Sequence, residues 1–158
     1  HISDTARAAR FCRQAEQARY FCKDIHYPDV PLHTPTFDTT LLSAHIRPGH
    51  VMLIDCWASW CGPCRASFPH LRKVYEANRE KIEFISVSLD KNDSDWRKAT
   101  DEEKLPWQQY CATPSFSRAI GKAYKITSIP TFLLIGPDGG IIFSGHDSND
   151  LDAQLEKL

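Results

Sequence analysis

One short stretch, Trp60 to Cys64 with the sequence WCGPC, constrains this chain more than any other feature. An apolar run, Val51 to Ile54, precedes it, and a helical pattern follows it from Arg65 to about Arg79. We therefore expect the two cysteines at the end of a buried strand and on the first turn of a helix. The unpaired N–H groups and the helix dipole there stabilise a thiolate. The pKa of Cys61 should accordingly fall below about 8.5, the value of a free thiol.

This placement predicts different tasks for the two sulfurs. Cys61 attacks as the more exposed thiolate, and Cys64, one turn in and more buried, resolves the mixed disulfide. Pro63 suits the helix start because it has no N–H to leave unsatisfied. A structural disulfide and half of a zinc site are the alternatives. A zinc site needs a second pair or a nearby His, and the chain has no second C-x-x-C. The pattern favours redox catalysis without a metal.

Composition and charge narrow the class of protein. The chain has 158 residues, of which 42% are hydrophobic and 25% charged, as in an ordinary soluble domain. A net charge of −1 gives no electrostatic reason to expect nucleic-acid binding. No apolar run reaches the roughly 18 residues of a membrane span, and no signal peptide is recognisable. Because the chain begins with His1 rather than Met, we expect a processed or truncated chain whose localisation signals have been removed.

The chain before the first central strand is harder to interpret. Residues 4–24 show apolar positions at helical spacing and predict an N-terminal helix. Cys12 and Cys22 would lie about 15 Å apart along a straight helix, too far for a disulfide, so we expect them unpaired. Residues 25–50 are proline-rich and irregular, with a short edge strand predicted at 36–38.

From Val51 onward the patterns follow the order strand, helix, strand, helix, helix, strand, strand, helix. The early strand–helix–strand unit predicts parallel pairing by a right-handed crossover. The turn Gly136 to Gly140 predicts an antiparallel hairpin. The predicted fold is α/β, a mixed central sheet flanked by helices on both faces, with an extra N-terminal helix. The predicted N-cap residues are Asp93 or Ser94 for one helix and Asn149 for the last helix.

Three sequence features, in the same order along the chain, resemble those of one protein family. The segment Asp55 to Arg65, DCWASWCGPCR, resembles the active-site segment of thioredoxins. Pro69 stands where that family kinks its active-site helix, and Ser128 to Thr131, SIPT, is similar to its cis-proline segment. The resemblance covers residues 36–158 and implies a thioredoxin-like domain there, preceded by an N-terminal helix and linker over 1–35.

Within the superfamily, residues 65–71 and 84–91 are similar to TlpA/ResA-like proteins, which are related to the AhpC/TSA group. The stretch Trp96 to Tyr110 corresponds to the insertion typical of those proteins. Their leading β-hairpin looks shortened or absent here. Cys56 replaces a usual aromatic residue, and Cys111 is also extra; we expect both to be buried free thiols, with pairing left open.

The resemblance implies roles for individual residues. In thioredoxins the carboxylate matching Asp55 is buried near the second cysteine and exchanges protons with it; the alternative is a surface aspartate at a strand end. The bond before Pro130 is expected to be cis and to lie against the disulfide, and the alternative is an ordinary trans proline. The backbone of Ile129 would then pair with an extended substrate segment. The residues expected to contact substrate are Trp60, Gly62, Pro63, Ile129 and Pro130.

TlpA/ResA-like proteins are typically bacterial thiol–disulfide oxidoreductases that are periplasmic or membrane-anchored facing the periplasm. The resemblance implies protein thiol or disulfide substrates, an upstream electron donor, a membrane tether in the full-length precursor and no cofactor beyond the Cys61–Cys64 disulfide. We expect a reductant, because the Gly-Pro pair resembles that of reducing members. We also expect a monomer. One alternative is an AhpC/TSA-type thiol peroxidase, although its usual Pro-x-x-x-Thr-x-x-Cys context is absent before Cys61. The other is a non-catalytic interaction module, which the intact cysteine pair disfavours.

Overall fold

A mixed sheet forms the centre of the protein. The computed structural model describes residues 30–47, 49–124 and 128–158. The helix predicted over 4–24, with Cys12 and Cys22, lies outside the described residues. The strands of the sheet are β1 (Pro31–His33), β2 (Thr39–Leu41), β3 (Val51–Trp57), β4 (Ile82–Ser88), β5 (Gln108–Ala112), β6 (Thr131–Ile135) and β7 (Ile141–Gly145).

Four α-helices are described: α1 (Gly62–Asn78), α2 (Asp93–Glu103), α3 (Pro114–Tyr124) and α4 (Ser148–Leu155). A 3-10 turn, Leu42–His45, precedes β3. Within the described residues, no helix combines the length and apolar character needed to cross a bilayer.

The strand order is β2-β1-β5-β4-β3-β6-β7. Strands β3, β4 and β5 are parallel, and β6 and β7 are added antiparallel at the β3 edge. This confirms the predicted mixed sheet, with a parallel β3-α1-β4 unit and a late hairpin.

Strand β3 is central and buried along its whole length, which explains its continuous apolar run. Its side chains alternate between two cores. Leu53 and Trp57 pack on the side of α1, with Phe68. Ile54 packs on the opposite side, with Phe116 of α3. Alternate side chains of β3 therefore lie in opposite cores, and this alternation determines which of them lie on the side of α1.

The leading hairpin, which we expected to be shortened or absent, is present, with strands of three residues each. Strands β1 and β2 pair antiparallel, and β1 also pairs with β5. The edge strand predicted at 36–38 is wrong, since these residues form the turn of the hairpin. Phe37 has a positive φ of 64°, and its N–H donates to the Thr34 carbonyl oxygen. Among the described residues the first strand of the sheet begins at Pro31, and residues 35 and 36 lie in the turn of this hairpin.

Two predicted helix caps are also wrong. Asn92, rather than Asp93 or Ser94, caps α2, and Asp147, rather than Asn149, caps α4. Each cap side chain accepts hydrogen bonds from the first free N–H groups of its helix. Several neighbouring residues have side chains that can cap a helix. The residue that does so is the one whose backbone is extended, and this depends on where the preceding segment ends.

Candidate active site

The cysteine pair lies where the sequence places it, between the end of β3 and the start of α1. Cys61 is the N-cap residue of α1, with φ −87° and ψ 98°. Its Sγ accepts a hydrogen bond from the backbone N–H of Cys64 at 3.2 Å. Gly62 and Pro63 occupy the first helical turn. The sulfur of Cys61 therefore lies at the positive end of the helix, the environment that stabilises a thiolate.

Cys61 and Cys64 form a disulfide, with their Cα atoms 5.3 Å apart. Cys61 retains 4% of its accessible surface and Cys64 retains none. Cys61 is thus the more accessible partner, although the exposed sulfur that we expected is largely covered in the disulfide form. Trp60, beside it, is 71% exposed and offers an apolar surface at the rim of the site. Trp57 is fully buried and packs edge-to-face on Phe68, as expected for a core residue.

The segment predicted to hold a cis proline lies against the disulfide. The peptide bond between Ile129 and Pro130 is cis, as the family resemblance implied. The carbonyl oxygen of Ile129 lies 3.7 Å from Cys61 Sγ. Thr131 Oγ1 donates to the carbonyl oxygen of Ser128 at 2.7 Å and so closes this turn. The disulfide and a backbone carbonyl are thereby presented side by side.

Asp55 is a buried carboxyl group, with 1% of its surface exposed, so it is not a surface aspartate at a strand end. Its Oδ2 accepts a hydrogen bond from Ser86 Oγ at 2.8 Å. Its Oδ1 has no hydrogen-bond partner among the described residues. Burial raises the pKa of Asp55 to about 7, and the Ser86 hydrogen bond opposes that rise. The carboxyl is therefore suited to exchanging a proton near neutral pH.

The strand geometry places Asp55 on the face of the sheet that carries the disulfide. Leu53 and Trp57 flank Asp55 at alternate positions of β3 and belong to the same core as Cys64. Cys56 faces the other core. Asp55 and Cys64 thus share one side of the sheet.

Cys56 and Cys111 are buried free thiols, as expected. Burial, together with the charge of Asp55, raises the pKa of the Cys56 thiol. Burial and the carboxylates of Asp93 and Asp90 raise the pKa of Cys111 to about 11. Both thiols stay protonated at neutral pH and are poor nucleophiles.

Asp90 ties the loop before the cysteines to the end of β4. Its Oδ2 accepts from the Ser59 N–H at 2.9 Å, and its Oδ1 accepts from Ser59 Oγ at 2.6 Å. Ser88 Oγ also donates to Asp90 Oδ2, at 2.5 Å. The loop that carries Trp60 and leads into α1 is therefore held by a buried carboxylate.

Arg65 fastens the same region to α2. Its guanidinium group forms ion pairs with Glu102 at 2.7 Å and Glu103 at 2.6 Å. It also donates to the carbonyl oxygen of Ser59 at 3.4 Å. Arg72 donates to the carbonyl oxygen of Glu103. The first turns of α1 are thus anchored to the segment that the sequence indicated as an insertion.

We expect Asp90→Ala to lower the free energy of unfolding by about 2–3 kcal/mol, because it leaves the hydroxyls of Ser59 and Ser88 without their charged acceptor. Urea unfolding of the oxidised protein measures this change. Asp101→Ala, at an exposed position on α2, is the control and should have little effect. Equal effects of the two substitutions would contradict the role given to Asp90.

Sequence reasoning missed the polar groups that support the site. Ser86 and Ser88 follow Phe84 at alternate positions of β4. Because alternate residues of a strand share one face, their burial beside Phe84 could have been predicted from the sequence. The partner of Ser86, Trp107, was not detectable in this way. His146 was also missed; its Nδ1 lies 2.9 Å from the Pro130 carbonyl oxygen.

His70 is on the helix surface, as expected. It pairs with Asp152 of α4 at 2.9 Å rather than with a cysteine. Within the described part of the chain, no group of three or more His, Cys, Asp or Glu side chains is arranged to hold a metal ion.

Two curated proteins have sequences related to this chain. Tryparedoxin from Trypanosoma brucei brucei is 36% identical over 100 residues, which cover 60% of this chain and 66% of that protein. Thiol-disulfide oxidoreductase ResA from Oceanobacillus iheyensis is 31% identical over 94 residues, which cover 59% and 47% respectively. The chain therefore spans less than two thirds of the length of these curated relatives.

A solved structure matches over more of the chain. The thioredoxin domain of a thiol-disulfide oxidoreductase from Bacteroides vulgatus superposes with a TM-score of 0.73 at 27% identity, covering 85% of this chain and 95% of that one. The family described as Thioredoxin-like matches residues 49–141, which include both cysteines and the cis proline. That match spans more than half of the chain, and the fold and cysteine placement agree with it: the protein belongs to the thioredoxin-like family.

Proposed function

We propose that this protein is a thiol–disulfide oxidoreductase that reduces disulfides in partner proteins through a dithiol/disulfide cycle of Cys61 and Cys64. The observation that carries the proposal is the pairing of a disulfide at a helix N-terminus with the cis-peptide carbonyl of Ile129 beside Cys61 Sγ. The first feature favours the thiolate of Cys61. The second provides a backbone edge on which an extended substrate segment can align its own disulfide.

The first chemical step begins with the reduced enzyme. The Cys61 thiolate attacks one sulfur of the substrate disulfide, and the substrate S–S bond breaks as a mixed disulfide forms. The released substrate sulfur leaves as a thiolate and takes a proton from solvent. Exposed Trp60 lies beside the reacting sulfur and supplies apolar contact area for the incoming chain.

The second step forms the Cys61–Cys64 disulfide. Cys64 passes its proton to the Asp55 carboxylate, and the resulting thiolate attacks the sulfur of Cys61. The mixed disulfide breaks, and the second substrate sulfur leaves as a thiolate that takes a proton from solvent. Asp55 then returns its own proton to solvent. Two electrons have then moved from the Cys61–Cys64 dithiol to the substrate, and the enzyme is in its disulfide form. A thiol reductant upstream restores the dithiol by the reverse exchange.

We place the substrates among proteins, because backbone pairing along Ile129 and the exposed ring of Trp60 suit an extended polypeptide. The similarity to ResA and to the thioredoxin domain from Bacteroides vulgatus supports this choice. The TlpA/ResA-like resemblance supports action on the periplasmic side of a bacterial membrane, with a tether in the full-length precursor. We infer that the protein acts there as a monomer.

The proposal is tested by the reduction potential and by the choice of substrate. Equilibration with thiol redox buffers should give a potential nearer about −270 mV than about −120 mV, the values of a reducing thioredoxin and of an oxidising relative. A potential above about −180 mV would reverse the proposed direction. Insulin disulfides should be reduced with dithiothreitol as donor. Faster consumption of peroxide than of insulin would favour the peroxidase alternative.

A further inference from the structure

Three buried polar groups from three different segments form a chain of hydrogen bonds at Asp55. Trp107, which precedes β5, donates its indole Nε1–H to Ser86 Oγ at 2.8 Å. Ser86 Oγ donates to Asp55 Oδ2 at 2.8 Å. Ser86 is fully buried, and Trp107 is 6% exposed. Solvent therefore does not compete for these bonds.

The direction of the bonds follows from donor chemistry. An indole N–H only donates, so it must take a lone pair of the Ser86 hydroxyl. The single hydroxyl hydrogen is then left to bond Oδ2 of Asp55. While Ser86 Oγ donates to Oδ2, that oxygen is the acceptor, and a proton on the carboxyl sits on Oδ1. Oδ1 is the atom without a hydrogen-bond partner among the described residues.

We propose that Ser86 and Trp107 are positioning residues for proton exchange, which hold the proton of Asp55 on Oδ1 and set the pH range over which Asp55 accepts it. This inference rests on the proposed function, in which Asp55 takes the proton of Cys64. In that function Asp55 exchanges the proton with Cys64, whereas Ser86 and Trp107 act through Asp55. Donation from an oriented hydroxyl stabilises the ionised carboxylate, since it supplies part of the solvation that burial removes.

Side chains of α1 face this cluster, whereas Cys56, which neighbours Asp55 on β3, faces the opposite core. The Cys56 thiol is protonated at neutral pH. Cys64 lies on α1 on the same side of the sheet. Tyr75, also on α1, packs its ring on Trp107 with centroids 5.4 Å apart. The partner of Asp55 in β6 is the apolar Phe132.

The experiment measures the Asp55 carboxyl directly, in the oxidised protein, by isotope-edited infrared or NMR titration. Ser86→Ala should move its titration midpoint upward by about one to two pH units, the effect expected for a lost hydrogen bond to a charged group. Trp107→Phe should move it in the same direction by less, because Ser86 is then free to rotate. Ser86→Thr, which keeps the hydroxyl, should restore the original midpoint.

Trp96→Phe is the matched control. Trp96 is as buried as Trp107, but its Nε1 has no hydrogen-bond partner among the described residues. The substitution removes an indole of the same size without removing a bond to Ser86, so the midpoint should stay unchanged. An unchanged midpoint in both Ser86→Ala and Trp107→Phe would overturn the inference, as would an equal shift in Trp96→Phe.

The pH profile of insulin reduction provides the functional readout. In Ser86→Ala, the part of the rate profile that depends on ionisation of Asp55 should shift to higher pH, together with the titration midpoint of the carboxyl. A carboxyl shift without any movement of the profile would overturn the link to proton exchange. Wild-type protein that does not reduce disulfides at any pH would contradict the proposed function itself, which separates that failure from a failure of the inference.

Discussion

Cys61→Ser is expected to lower the rate of insulin reduction by about a thousandfold or more, because a serine hydroxyl is not ionised at neutral pH and cannot form the mixed disulfide. Cys64 cannot substitute for it, since Cys64 has no exposed surface. The measurement is the initial rate of insulin reduction with dithiothreitol in excess.

Cys64→Ser should behave differently from Cys61→Ser. Attack by Cys61 remains intact, but nothing displaces the substrate, so a mixed disulfide should accumulate and be visible as a mass adduct that dithiothreitol removes. Cys56→Ala is the control, because Cys56 faces the opposite core and is a free buried thiol. It should retain activity. An adduct on Cys61→Ser but not on Cys64→Ser would mean that the two sulfurs have exchanged roles.

Asp55→Asn is expected to stabilise the oxidised protein at pH 8 and to leave its stability nearly unchanged below pH 4. Burial raises the pKa of Asp55 from 3.8 to about 7. The folded state therefore binds a proton that the unfolded state has already released, and stability is lost as pH rises through this window. Because each pKa unit corresponds to about 1.4 kcal/mol, the full loss is about 4 kcal/mol above pH 7.

Urea unfolding of wild type and Asp55→Asn at both pH values tests this result, since the difference between the two proteins cancels the titration of all other groups. Asp95→Asn, on the exposed surface of α2, is the control and should change the free energy of unfolding little. A stability gain of equal size at pH 4 and pH 8 would contradict a raised pKa and would indicate a packing effect. The stabilised variant should resolve mixed disulfides more slowly, because Asn cannot accept the proton of Cys64.

The location of the cysteine pair and most of the order of strands and helices along the chain were predictable because both depend on local patterns. A continuous apolar run indicates a strand buried on two faces, and a proline after the first cysteine indicates a helix start. Pro130 before an apolar strand was recognisable in the same way, although its cis bond was inferred from the family resemblance. These features follow from backbone and side-chain preferences over a few residues.

The hairpin formed by β1 and β2 could not be predicted with the same certainty. Its strands are three residues long, too short for an alternating pattern to emerge. Its position in the sheet depends on pairing of Leu32 with Ala112, which is far along the chain.

By itself the sequence determined the redox pair, the helix that carries it and the buried strand that ends in Asp55, since each is encoded within a single run of neighbouring residues. Only the tertiary structure decided which groups surround that carboxyl. Ser86 is 31 residues from Asp55, and Trp107 is 21 residues from Ser86. The physical reason is that hydrogen bonds between separate segments depend on strand register and packing, and neither is written in the local pattern of any one segment.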